Sequence, residues 1–516
     1  MKKHITILSI ITAVVAFADN ENYSGQDVSG RSFVGESHKN SVWDGVTARG
    51  TEFSRYTREY DTTYNSDYTN ASFRNADLTN ASFAGATIND IDATDAIIKG
   101  ASFHYANMND MAILTKTKSY KDKDLSGVDL RTDGYKITKI CIYDFSGFNL
   151  TGAYLCANLY GPDRYPNYTN PDGIFKYDDA IILGATMHKI AFRKEQLCST
   201  KSYKDKMLDG ITVSETNFAN IDFRGVSLKN TTFECMNFSN ANFSNANLSG
   251  AKISGFDQSA SRYAEVYSLK NAVFFNADLT NAELSAGILE NVDFRGTNMT
   301  NTKIGESVSY KNTIMSEGTI KNFTMVSTDD ALTIRKYTPA SNGGEMISAK
   351  ISEDNAKISE DNAKISGGAV LSLERGADLI VTNAKTLTVA SDGAIAIDTD
   401  LSGSTKFTVD HDAGLVFENG SKLTINVMED IIGGDALEFT ALSWYDDSYI
   451  AGLDTIKPNQ TLSLNVNGAA YTGDWKYEIK GNSLNILINV PEPAEWAMIL
   501  GAIAIAFALK RRCSKK

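Results

Sequence analysis

The chain has 516 residues, 42% of them hydrophobic and 22% charged, and a formal net charge of −13. Such a length accommodates two or more domains, and the acidic balance argues against nucleic-acid phosphate as a partner. Five cysteines, an odd number without CxxC or Cys/His spacing, give neither a disulfide framework nor a zinc site.

The chain opens MKKHITILSIITAVVAFADN. Lys2 and Lys3, an apolar run from Ile5 to Val15, and Ala16-Phe17-Ala18 follow the order of a secretory signal peptide over residues 1–18. Cleavage is expected after Ala18, with Ala16 and Ala18 as the small residues of the site. Residues 19–70 keep a five-residue phase through Val28, Phe33, Trp43, Ala48, Phe53 and Tyr68, broken by His38, Arg58 and Thr63. These three are poor core residues, so the stretch is expected to be a degenerate coil that caps a repeat array.

The phase becomes plain from Ala71 to Asp110, which divides into ASFRN, ADLTN, ASFAG, ATIND, IDATD, AIIKG, ASFHY and ANMND. The third positions are Phe73, Leu78, Phe83, Ile88, Ala93, Ile98, Phe103 and Met108. A period of five fits neither the 3.6 of a helix nor the 2 of a strand. A short internal repeat of this kind implies a solenoid whose units bury their apolar side only against neighbours. The centre and the Ala two places before it are expected inside, and the Asn, Asp, Ser and Gly at the corners. Burying one centre is worth about 1.5–3 kcal/mol, whereas ordering five residues costs about 5–10 kcal/mol. A coil therefore persists only in a stack. These pentads resemble the pentapeptide-repeat family, whose pattern is A(D/N)LXX. The resemblance implies an all-β, right-handed quadrilateral β-helix with one pentad per face and four per coil.

The repeat is expected to span 71–306, with interruptions at 115–124, 161–178 and 200–207. Its second run has centres at Leu125, Leu130, Tyr135, Ile140, Phe145, Leu150 and Leu155, and it resumes at Ile182, Met187, Phe192 and Leu197. KSYKDK occurs at Lys118–Lys123 and again at Lys201–Lys206, and DAIIKGASFH at Asp95 matches DAIILGATMH at Asp179. The interruption is thus a duplicated structural device. The longest clean run has centres Val213, Phe218, Phe223, Leu228, Phe233, Phe238, Phe243, Leu248 and Ile253; the last runs from Phe274, Leu279 and Leu284 to Ile304. Cys156, Cys198 and Cys235 fall on face or corner positions and are read as fillers.

From Lys321 the composition changes. Residues 307–365 are expected to be a linker holding AKISEDN in tandem, at Ala349–Asn355 and Ala356–Asn362. In 366–489, Leu371, Leu379, Leu387 and Ile395 are eight apart, and Leu415 and Leu423 repeat that step. Even spacing with Gly or Asn at turns points to a second parallel β-solenoid, similar to autotransporter passenger stacks, or else to a β-sandwich. LEFTALSW, TLSLNVNG and WKYEIKGNSLNILI read as antiparallel closing strands.

The last stretch, 490–516, reads VPEPAEWAMILGAIAIAFALKRRCSKK. Pro491-Glu492-Pro493 precedes an apolar run from Trp496 to Leu509, then Lys510, Arg511 and Arg512. The run is short for a spanning helix, which needs about 20 residues, but Trp and the basic tail supply interfacial and cytoplasmic ends. A transmembrane helix is expected at about 495–509. The order resembles the PEP-CTERM sorting signal of Gram-negative bacteria. That resemblance implies an inner-membrane intermediate, an exosortase-like protease as partner, and final display at the cell surface.

The five His (His4, His38, His104, His188 and His411) are scattered, and no nucleophile elbow, Walker A loop or HExxH occurs. The sequence therefore implies no catalytic residue, metal or cofactor. It reads as an exported, non-enzymatic structural or binding protein of the surface or extracellular matrix, with extracellular polysaccharide as a partner class. A carbohydrate-binding or carbohydrate-active solenoid is the alternative. A topoisomerase-inhibiting DNA mimic, known among pentapeptide proteins, suits the charge but not export. The core is assigned to Phe73, Leu78, Phe83, Phe218, Phe223, Leu228, Phe233, Phe238, Phe243, Leu248, Leu279 and Leu284.

Overall fold

The computed structural model describes residues 21–58, 61–64, 66–108, 112–131, 144–156, 176–188, 192–214, 216–254, 268–285, 287–306, 308–337, 356–358, 363–382, 385–429, 437–455, 457 and 461–488. The signal-peptide residues, the centres Tyr135 and Ile140, the Pro-rich insertion, the first AKISEDN copy, the PEP motif, the apolar run and the basic tail lie outside them. Among the described residues no helix is long and apolar enough to cross a membrane.

Polar fifth positions turn the chain. In the pentad around Phe73, the Phe73 carbonyl accepts from Ala76 N at 3.2 Å, and Asn75 between them has φ 55°. Asn80, Asp90 and Asp95 repeat that angle at 57°, 55° and 58°. A positive φ at the second central residue defines a type II turn, which favours Gly, Asn and Asp. Each pentad therefore ends in a corner, and four corners close a coil of twenty residues: Ser72 bridges Asp92, Asp77 bridges Ile97, Ser82 bridges Ser102 and Thr87 bridges Asn107, all parallel.

Inside, Ala71, Ala76, Ala81 and Ala86 are buried with the centres Phe73, Leu78, Phe83 and Ile88. Successive coils stack ring on ring, with Phe53 to Phe83 at 4.8 Å, Phe83 to Phe103 at 5.6 Å and Phe243 to Phe274 at 4.7 Å between centroids.

The stack begins earlier than the sequence suggests. Asn22 bridges Val42, Asp27 bridges Thr47 and Ser32 bridges Glu52, so 21–55 form regular coils rather than a degenerate cap. The broken phase has a local cause. The hairpin of β1 (Tyr56–Arg58) and β2 (Asp61–Tyr64) takes up ten extra residues, including Arg58 and Thr63. His38, a poor core residue on paper, is 1% exposed. Tyr23, Phe33, Trp43 and Tyr68 surround its ring, and its Nε2 meets Glu36 Oε2 at 3.0 Å.

The duplicated hexapeptide forms one device twice. Helices α1 (Ala112–Thr115) and α2 (Lys118–Lys121) are matched by α3 (Lys194–Ser199) and α4 (Lys201–Lys204). Thr117 and Thr200 accept from Tyr120 N and Tyr203 N at 3.1 Å and donate to Leu114 O and Leu197 O at 2.7 Å. Buried Ser119 and Ser202 accept from Ile98 N at 3.0 Å and Ile182 N at 2.9 Å. Their hydroxyls stand where a coil would offer a carbonyl, as Ile97 O does to Leu78 N at 2.8 Å. Cys198 lies in α3 rather than on a pentad face, and Cys235 turns a corner at φ 57°.

One face widens into a seven-stranded parallel sheet: β3 (Tyr154–Cys156), β4 (Thr186–His188), β5 (Thr212–Ser214), β6 (Thr232–Glu234), β7 (Lys252–Ser254), β8 (Glu283–Ser285) and, after β9 (Ile288–Glu290), β10 (Lys303–Ile304). β11 (Ser309–Lys311) pairs with β9, β12 (Thr313–Ile314) forms a hairpin with β13 (Ile320–Lys321), and Asp293 bridges Ile314. Residues 309–314 thus pair with the last coils, while Ile320, Phe323 and Met325 enter the second core, so the stretch does not link freely.

The second stack is three-sided. Its coils are β14 (Ala331–Ile334), β15 (Ala356–Ile358), β16 (Ala363–Ile365); β17 (Val370–Leu373), β18 (Asp378–Val381), β19 (Thr386–Val389); β20 (Ala394–Thr399), β21 (Lys406–Val409), β22 (Gly414–Phe417); and β23 (Lys422–Val427), β24 (Leu437–Trp444), β25 (Tyr449–Ala451). Leu371 aligns with Ile395 and Ile395 with Leu423; Leu379 aligns with Phe407, and Leu387 with Leu415. The eight-residue step is therefore one face of a coil, and parallel pairing replaces the sandwich alternative. The AKI segments at 356–358 and 363–365 are strands on successive faces, a further departure from the expected linker.

The closing strands are only partly antiparallel. β26 (Leu462–Val466), read as a closing strand, instead continues the parallel ladder on β23, with β27 (Ala469–Ala470) turning back on it. β28 (Trp475–Ile479) and β29 (Ser483–Ile488) add to β24 in antiparallel order.

Candidate binding surfaces

Around the square coil, an Asp or Asn before a centre faces outward and fixes its own turn. Asp77 Oδ1 accepts from Thr79 N at 3.1 Å and Thr79 Oγ1 at 2.6 Å; Asn247 does the same for Ser249 at 3.0 and 2.7 Å. Cations from other coils join these columns, with Arg49 Nε on Asp77 at 2.6 Å, Arg74 on Asp92 at 3.5 Å and Lys99 on Asp124 at 3.1 Å. Burial pushes the Asp77 carboxyl up, but the Thr79 hydroxyl and Arg49 guanidinium together outweigh it and leave it below the ordinary range. Asp92 is lowered too, chiefly by the Thr94 hydroxyl. A general acid needs a raised carboxyl, and Asp77 and Asp92 are both lowered.

A cleft of about 430 Å³ is lined by Phe192, Arg193, Lys194, Glu195, Thr216, Asn217, Ala219 and Asn220. Glu195 is its single carboxylate among the described residues, whereas glycoside hydrolysis commonly uses two. Among the described residues no group of three or more His, Cys, Asp or Glu could hold a metal ion.

Where the stacks meet, NVDFRG (Asn291–Gly296) repeats NIDFRG (Asn220–Gly225) with one change. Arg295 pairs with Asp293 through Nη2 at 2.8 Å, both side chains 1% exposed, and donates to Arg335 O at 2.7 Å. Asn291 donates to Ala331 O at 2.8 Å. Phe275 and Tyr337 flank the guanidinium at 5.1 and 5.9 Å. In the other copy Arg224 pairs with Asp222 at 2.6 Å while 63% exposed. Nearby, burial pushes the Asp330 carboxyl up, yet Lys311 Nζ at 2.7 Å and the Val326 and Ser327 amides at 2.8 and 2.9 Å outweigh it and hold it down at about 2.

The second stack carries a surface that sequence reading missed. The turn Asp410–Ala413, between β21 and β22, lies against the turn Tyr445–Ser448, between β24 and β25. Ser448 Oγ donates to Val409 O at 3.1 Å and Asp410 O at 2.8 Å. His411 Nδ1 meets Asp447 Oδ1 at 2.8 Å, and its ring stacks on Tyr445 at 3.9 Å. Tyr445 and Tyr449 are 44% and 63% exposed. The sequence signal, YDDSY against DHD, only gains meaning once coil register brings the two turns together.

Of the assigned residues, Phe73, Leu78, Phe83, Phe218, Phe223, Leu228, Phe233, Phe238, Phe243, Leu248, Leu279 and Leu284 are buried in one core cluster. Ala16, Ala18, Pro491, Glu492, Pro493, Lys510, Arg511 and Arg512 lie outside the described residues.

A family model for pentapeptide repeats matches eight copies, over residues 64–92, 76–110, 221–257 and 268–306. The repeats over those residues are pentapeptide repeats. Solved structures that it matches include HetL, a pentapeptide repeat protein involved in heterocyst differentiation regulation from the cyanobacterium Nostoc sp. strain PCC 7120, at 16% identity over 59% of this chain and 92% of that one, with a TM-score of 0.12. Full-length QnrB1, a plasmid-mediated fluoroquinolone resistance protein, matches at 16% identity over 54% of this chain and 94% of that one, with a TM-score of 0.13. Overlap this low carries no functional argument. No curated protein matches the chain.

Proposed function

We propose that this pentapeptide-repeat chain is an exported, non-enzymatic structural or binding protein, displayed at the cell surface or in the extracellular matrix by a PEP-CTERM-type signal. The carrying observation is the order Pro491-Glu492-Pro493, apolar Trp496–Leu509 and basic Lys510–Arg512, at the opposite end from the signal-like Met1–Ala18. Two solenoids joined by hydrogen bonds from Arg295 and Asn291 to the carbonyls of Arg335 and Ala331 suit a rigid spacer, and pentapeptide-repeat proteins are generally structural or binding proteins rather than enzymes. In this reading an exosortase-like protease and the inner membrane are transient partners and polysaccharide a lasting one. Protease added to intact spheroplasts is expected to digest the repeat region, and mass spectrometry of the surface fraction to find a form lacking Lys510–Lys516. Full protection, or a mature form ending in Lys516, overturns the reading.

Duplex mimicry, with topoisomerase inhibition, is a second reading. The net charge of −13 favours it; the cations paired with Asp77, Asp92 and Asp124 interrupt the field such a mimic needs. Recovery of the chain in the cytoplasm together with inhibition of a type II topoisomerase would replace the first reading by this one.

A further inference from the structure

We propose that His411, Tyr445 and Tyr449 form a binding subsite for a neutral polysaccharide. The inference rests on the export reading only for where such a chain would be met. Large aromatics are seldom left in the open without a use when they cluster. Here two tyrosines flank one turn, and the His411 ring stacks on Tyr445 with centroids 3.9 Å apart and planes inclined by 30°. The platform is rigid: Ser448 ties the two turns together, Tyr449 N donates to Ala413 O at 2.8 Å, and Asp447 holds the imidazole. Aromatic faces of this kind accept the apolar C–H side of a pyranose, and Tyr hydroxyls at their rims reach water or ligand.

The surrounding polar groups choose the ligand. Asp410 is engaged by Thr382 Oγ1 at 3.0 Å and its own turn's amide at 2.9 Å. Asp446 accepts from Asn482 at 2.5 Å, and Asp447 from His411 at 2.8 Å. Each carboxylate therefore has an internal donor and keeps free lone pairs, which suit sugar hydroxyls. Together they repel uronate-bearing or phosphate-bearing chains. A cationic peptide over the tyrosines is the competing occupant; bonded carboxylates offer it less than unpaired ones would.

The test is affinity electrophoresis of the full chain in mild detergent, in native gels containing dextran, xyloglucan or mixed-linkage β-glucan, with alginate as the acidic counterpart. Retardation by at least one neutral polysaccharide is expected, weakened tenfold or more by Tyr445→Ala or Tyr449→Ala. Tyr105→Ala, which removes a 47% exposed tyrosine from the first stack, should change nothing. No retardation in the three neutral gels, retardation in alginate alone, or equal loss with Tyr105→Ala overturns the subsite. So does polylysine capture that depends on the same tyrosines without any retardation. Because binding is read on purified protein, its failure is separate from a failure of export, which the spheroplast experiment measures.

Discussion

The two stacks solve one problem with different turn economies. In the square coil a corner comes every five residues, so each face offers one central side chain, and the core is filled by Phe and Leu with Ala beside them. In the three-sided coil a corner comes about every eight, strands run from three to eight residues, and inward pairs such as Leu371 and Leu373 share a face. The first depends on left-handed corners and large single centres; the second depends on strand alternation, in which Leu, Ile and Val suffice. A single centre thus carries more of its coil in the first stack than in the second.

Phe238→Asp tests this at its strongest. Phe238 is fully buried and meets Phe233 and Phe243 at 5.2 and 5.4 Å. An unpaired carboxylate there costs several kcal/mol, so hydrogen exchange should rise across the coils around 218–254 while the peptides of 370–427 stay protected. Equal loss of protection in both stacks would show that they fold as one unit and that the comparison is misplaced.

The next effect concerns the joint. Arg295 and Arg224 occupy the same place in duplicated hexapeptides, one buried under Arg335 and Tyr337, the other in water. Removing one partner of a buried pair costs about 3–5 kcal/mol, against about 0–1 kcal/mol for an exposed one. Arg295→Ala should therefore lower the midpoint of thermal unfolding markedly and Arg224→Ala hardly at all. Equal shifts would mean that the covering segment adds nothing.

How much of this was readable follows from the same physics. Five-residue phase announces its centres because every corner must reset the chain, so Phe73 to Met108 were legible as inward residues. His38 was not, since its burial depends on rings from its own coil and the next and on Glu36. AKISEDN looked like a linker because its charges dominate; the AKI triplets at 356–358 and 363–365 are strands because a seven-residue step nearly matches one eight-residue face. The role of Arg295 and the meeting of His411 with Asp447 needed registers that no local pattern encodes.

Acid offers a smaller probe of the joint. The folded carboxyl of Asp330 is held at about 2, below the ordinary 3.8. A lowered carboxyl stabilises the fold above its unfolded value and loses that contribution as pH falls from 3.8 towards about 2. Unfolding midpoints measured across that range should fall less steeply in Asp330→Asn than in the parent. Parallel slopes would detach Asp330 from the stability of the junction.

The smallest effect is expected at a corner, where the two stacks differ most in their demands. Asn240 sits at φ 58°, and its Oδ1 accepts from Asn271 Nδ2 at 3.0 Å, part of a ladder that Asn271 continues to Asn291 at 3.0 Å. Asp keeps that acceptor, and Asp90, Asp95 and Asp179 already hold the same left-handed corner in other coils. Asn240→Asp should therefore shift stability by no more than about 0.5 kcal/mol, the range of an exposed substitution away from special features. Asn240→Val keeps neither the acceptor nor a tolerance for positive φ, whose cost for ordinary residues is about 1–2 kcal/mol. Chemical denaturation of the pair separates the two requirements. If Asp and Val are equally silent, the corner is set by the stack and not by its residue; if Asp is as costly as Val, the amide ladder rather than the turn is what the fifth position supplies.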